Sequence, residues 1–122
     1  MRYMMLVYSQ ESDEVSPEEL RAVALGHGAV MAEAANQGVL RAADPLQPSA
    51  TATVVRTQGG KVIVTDGPFA ETKEQLAGYY ILDCENLDEA VAWAARIPTS
   101  CQGAEGCVEV RPIREVFKPA TF

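Results

Sequence analysis

The chain has 122 residues, 48% of them hydrophobic and 22% charged, with 10 Lys+Arg against 17 Asp+Glu and a formal net charge of -7. That is the balance of a folded chain, and the length holds one domain of about 100–150 residues rather than two. The acidic surplus argues against nucleic acid or an anionic membrane as direct partners. With no run near about 18 apolar residues and no signal-peptide pattern, a cytoplasmic protein is expected.

Arg2 to Tyr8 is an almost continuous apolar run, which predicts a strand buried on both faces. Ser16-Pro17-Glu18-Glu19 then opens a helix. Serine can cap it, proline suits its first position, and Glu19 stands at capping-box spacing. Leu20, Val23, Ala24, Val30, Met31, Ala34 and Ala35 follow at helical spacing, and Gly38 supplies the stop. A short extended segment begins at Val39-Leu40 and runs into Asp44-Pro45. Thr51 to Thr57 and Lys61 to Thr65 are Thr/Val-rich runs joined by Gln58-Gly59-Gly60, which predicts a hairpin. Gly78 to Cys84 reads as another strand. Asn86-Leu87-Asp88-Glu89 opens a second helix, with Leu87, Ala90, Val91 and Ala94 as its buried stripe and Pro98 as its stop. Val108 to Arg111 forms the last strand. One domain spans 1–122, with its core over about residues 1–113 and a tail over 114–122.

The order β, α, β, hairpin, β, α, β leaves too few helices to cover both faces of the sheet, so both should lie on one face. An apolar bare face then calls for a partner, and a two-fold homodimer is the simplest one. Three cysteines, Cys84, Cys101 and Cys107, are too few for a disulfide scaffold, and free thiols are expected rather than a Cys101–Cys107 bridge. Their spacing fits no zinc site, and a single histidine excludes a His cluster, so no metal or cofactor is expected.

That histidine, His27, is the most informative residue. It falls on the apolar stripe between Ala24 and Met31, flanked by Gly26 and Gly28, although each helix-interior glycine costs roughly 1 kcal/mol relative to Ala. It can be a general acid/base lining a pocket between helix and sheet, or a core histidine satisfied by a neighbour. Asp66 opens a second candidate segment. A carboxylate at a strand end beside an inward histidine would make an acid–base pair, while the same residues also make an ordinary turn. Glu71 and Lys73 follow as polar candidates for substrate contact. Arg111 alternates with Val110 on the last strand and could hold an anionic group, or serve in a cross-strand ion pair. Tyr79 and Tyr80 point to opposite faces, so at most one faces a given pocket.

The run Asp66-Gly67-Pro68-Phe69-Ala70-Glu71-Thr72-Lys73-Glu74 resembles the signature of the DGPF family, grouped with YCII-related proteins. The likeness continues through Gly78-Tyr79-Tyr80, Trp93-Ala94-Ala95-Arg96 and Val108 to Pro112. It implies a ferredoxin-like βαββαβ α+β fold with an added hairpin, assembled as a dimeric α/β barrel. It also implies a first-helix histidine working with an aspartate as a dyad; one relative resembles a dehydrochlorinase of a chlorinated aromatic. Other members are encoded beside extracytoplasmic-function sigma factors. Here Asp44-Pro45 stands where the family has Gly-Pro. The functional expectation is a small-molecule lyase or hydrolase with His27 as acid/base, Asp66 tuning it, and Tyr79, Arg111, Glu71 and Lys73 placing the substrate. Its rival is a non-catalytic ligand-binding or regulatory module.

Overall fold

The computed structural model describes residues 1–12, 15–99, 106–116 and 118–120. Its elements run β1 (Arg2–Ser9), α1 (Pro17–Asn36), β2 (Leu40–Pro45), a 3-10 turn (Ser49–Thr51), β3 (Thr53–Gln58), β4 (Lys61–Asp66), β5 (Gln75–Asp83), α2 (Leu87–Ala94) and β6 (Gly106–Pro112). The helix starts follow their local chemistry. Ser16 Oγ accepts the Glu19 N–H at 3.1 Å, with Pro17 in the first turn. Asn86 Oδ1 accepts the Glu89 N–H at 2.9 Å while the Glu89 carboxylate accepts the Glu85 N–H, so two free amides are satisfied reciprocally. Gly59 and Gly60 both take positive φ, at 56° and 78°, which is what a two-residue hairpin turn with native strand twist demands.

Four strands form one sheet in the order β2-β5-β1-β6, with every neighbouring pair antiparallel. Setting the β3–β4 ribbon aside, the chain is α+β with the strand order of a ferredoxin-like fold. The ribbon is a separate two-stranded sheet, with Val55 opposite Val64 and Thr57 opposite Val62. Tyr3, Met5 and Val7 of β1 face the same side as Tyr80 and Leu82 of β5. Against them pack Val30 and Ala34 of α1, and Ala90, Trp93 and Ile97 in and after α2. Both helices therefore cover one face, as their number requires.

Two expectations need correction. β1 is not buried on both faces: Tyr3, Met5 and Val7 are buried and Met4 and Leu6 only partly so. Its continuous apolarity reflects a second face that is apolar without being covered within one chain. The stripe of α2 is also rotated. Leu87 and Val91 stand 53% and 51% exposed while Trp93 is 5% exposed. The indole has more apolar area to hide than either aliphatic side chain, so the helix turns to bury it. Cys84 is buried and Cys107 is exposed, both as free thiols, while Cys101 lies outside the described residues.

Candidate functional site: a cavity beside His27

Along α1 the apolar stripe is not buried evenly. Val30 and Ala34 are in the core, whereas Leu20 is 58% exposed and Val23 only partly covered. The N-terminal half of the helix stands away from the sheet, and a cavity of about 410 Å³ opens beneath it. The helix contributes Leu20, Ala24, His27 and Met31 to its wall. The sheet contributes Val7, Ala43, Gly78 and Tyr80, and the segment after α2 contributes Pro98 and Thr99.

Glycines let these parts meet. A Cβ on Gly78 would lie 2.8 Å from Asp44 O and 3.2 Å from Pro45 Cα, so the missing side chain lets β2 close onto β5. A Cβ on Gly26 would lie 2.9 Å from Pro98 Cγ, which accounts for one of the two helix glycines: it admits the loop that closes the cavity. Around Gly28 nothing lies within 4 Å of the same position.

His27 is half-buried, and its Nδ1 lies 2.5 Å from Tyr80 Oη, with the rings roughly stacked at a centroid separation of 5.9 Å. Burial disfavours the imidazolium and pulls the His27 pKa below its ordinary 6.5. Burial also pushes the Tyr80 hydroxyl up to about 12, so near neutrality the pair is imidazole and phenol, both uncharged. Tyr80 is the histidine's hydrogen-bond partner among the described residues. The ring lines the cavity, and Nε2 is its nitrogen not engaged by Tyr80. Farther along the same wall, the Tyr79 hydroxyl donates to the exposed Asp44 carboxylate at 2.7 Å. That bond, with the neighbouring negative charge, raises the Tyr79 pKa.

The remaining sequence candidates lie elsewhere. Asp66 ends β4 opposite Thr53, exposed on the ribbon and outside the cavity wall. Glu71 and Lys73 line a second, shallower recess of about 330 Å³ with Glu11, Ser49 and Gln75. Arg111 sits on β6 opposite Met4, in phase with the partly exposed face of the sheet. Tyr79 does border the cavity, together with His27 and Tyr80, which corrects the expectation that at most one of the two tyrosines faces a given pocket: the cavity opens at the sheet edge beside Asp44, where both are reached. Sequence reasoning missed Tyr80 and Asp44. Tyr80 could have been found by phase, since it is two residues from Leu82 and shares that buried face. Asp44 carries no signal of its own in the sequence beyond ending an extended segment before Pro45. Among the described residues no three His, Cys, Asp or Glu side chains gather as a metal site, and no helix is long and apolar enough to cross a membrane.

Fold and site together define a two-layer α+β domain with an imidazole–phenol pair on the wall of a mainly apolar cavity. The chain belongs to the YCII-related family, whose domain matches residues 1–117. It is also 40% identical over 121 residues to an uncharacterized protein of Rhizobium meliloti (strain 1021), an alignment covering 98% of this chain and 96% of that one.

Proposed function

We propose that this chain is a small-molecule enzyme of the lyase or hydrolase type, with His27 as its acid/base. The observation that carries this reading is an ionisable ring held at 2.5 Å by Tyr80 on the wall of a ligand-sized cavity. As a base, Nε2 would take a proton while Nδ1–H donates to the Tyr80 oxygen, which supports the imidazolium as it forms. In an elimination that proton comes from a substrate carbon; the C–H electron pair becomes the new double bond and the leaving group departs with its own bonding pair. In a hydrolysis the proton comes from the attacking water. A lowered histidine pKa keeps the base unprotonated at neutral pH.

The test is a screen of metabolites for thermal stabilisation, followed by product analysis of each hit with wild type and His27→Ala. Turnover that is lost in a folded His27→Ala protein supports the reading, and turnover that persists refutes it. One observation favours a non-catalytic binding or regulatory module instead. The histidine is held by a neutral phenol rather than by a carboxylate, which leaves it a weaker base than a charged partner would. Ligands that bind at the cavity and are recovered unchanged would establish that second reading.

The same chain is proposed to act as a homodimer with a barrel-like pairing of sheets. Val55, Val62 and Val64 lie on one face of the ribbon at 63%, 67% and 61% exposure, and an isolated two-stranded ribbon is marginal in water. Sedimentation should give a dimer for wild type, shifted toward monomer by Val64→Lys. A monomeric wild type would refute the assembly.

A further inference from the structure

The charge of the cavity wall restricts what can enter it. Its volume, about 410 Å³, falls at the low end of the roughly 300–1,000 Å³ of small-molecule pockets, enough for a body of one or two rings. Most of the wall is hydrocarbon, from Val7, Leu20, Val23, Met31, Ala43 and Pro98. Among the described residues that line it, none is Lys or Arg. Among those residues the formally charged group is the Asp44 carboxylate. A carboxylate or phosphate ligand would therefore leave water, find no cation, and approach a fixed negative charge in a chain of net charge -7. A hydroxyl or an ammonium group meets acceptors instead, at Asp44 or at a ring nitrogen of His27.

We infer that the cavity selects uncharged or cationic ring-sized molecules bearing a hydrogen-bond donor and rejects anionic ones, with Asp44 as the charge-discriminating residue. This rests on the reading of the cavity as a ligand site and adds the class of ligand it takes. The Tyr79 hydroxyl, bonded to Asp44 at 2.7 Å, holds that carboxylate in place and is a positioning residue.

The experiment uses three probes of one shape, benzyl alcohol, benzylamine and benzoate. Each is titrated into the full chain while the His27 ring and the Ala24 and Ala43 methyl signals are followed by NMR. Benzyl alcohol and benzylamine should shift these signals in a saturable way, with benzoate about tenfold weaker or worse. Asp44→Asn should weaken benzylamine about tenfold relative to benzyl alcohol and narrow the gap between benzoate and the alcohol. Benzoate binding as tightly as the alcohol in wild type would overturn the charge selection while leaving the cavity a ligand site. Unchanged discrimination in Asp44→Asn would overturn the role of Asp44. Silence from all three probes at His27, Ala24 and Ala43 would overturn the ligand-site reading itself, and this inference with it.

Discussion

Adding one methyl group at Gly78 and at Gly28 should change stability in opposite directions. In Gly78→Ala the new Cβ would sit 2.8 Å from Asp44 O and 3.2 Å from Pro45 Cα, both backbone atoms of the neighbouring strand. Ordinary contact begins near 3.4 Å, so β2 must retreat by about half an ångström along a paired register, and overpacking of this kind costs roughly 1–3 kcal/mol. Alanine recovers about 0.5–1 kcal/mol of backbone entropy, which leaves a net loss of about 1–2 kcal/mol. In Gly28→Ala the Cβ meets nothing within 4 Å, and the helix gains about 1 kcal/mol. For a domain of this size each kilocalorie moves the melting temperature by about 4 °C. Thermal denaturation followed by circular dichroism should therefore place Gly78→Ala several degrees below wild type and Gly28→Ala several degrees above it. A Gly78→Ala protein that melts at or above wild type would refute the close approach of β2 to β5. A Gly28→Ala protein that melts lower would show that the open space over α1 is occupied in solution.

Two further outcomes follow from the imidazole–phenol pair. Burial lowers the His27 pKa in the folded state, so the unfolded chain binds its proton first as pH falls; stability should decline as pH drops below about 6.5. Urea midpoints measured between neutral and mildly acid pH should show this slope, and His27→Gln should flatten it; an unchanged slope in that variant would assign it to other groups. Tyr80→Phe removes the hydroxyl 2.5 Å from Nδ1 and should cost about 0.5–1.5 kcal/mol, while the ultraviolet titration loses the phenol that ionises only near pH 12. A variant as stable as wild type would mean that water replaces the phenol without loss.

Elements whose boundaries are set by local chemistry were legible in the sequence. Ser16-Pro17, Asn86 and Gly59-Gly60 act on amides or dihedral angles within a few residues, and they lie where they were expected. The placement of both helices on one face followed from how few helices there are to cover a sheet, and the ferredoxin-like strand order from the family resemblance. Facing was harder. Leu87 and Val91 are as apolar as Trp93, and only packing against the sheet decides which of them is hidden. The site was legible in one residue. His27 betrayed itself as a polar group on an apolar stripe, but its partner depends on which of two adjacent tyrosines points inward and on how β2 lies against β5. That contact joins residues 53 apart. Asp66, conspicuous within a distinctive run, ends a ribbon that among the described residues pairs only with itself, and the cavity wall carries Asp44 instead.

β1 lies between β5 and β6, with Tyr3 opposite Leu82 on one side and Pro112 on the other. This strand is thus flanked by two strands made much later than itself. While the chain emerges from the ribosome, β1 presents two open edges and an apolar surface for most of the time synthesis takes. Only local pieces, the ribbon and α1, can form in that interval, because the remaining sheet contacts are long-range. The vulnerable period of this protein is its own translation. Substitutions in the last strand, far in sequence from His27, are therefore expected to lower yield in the cell more than they lower the stability of the protein that is recovered.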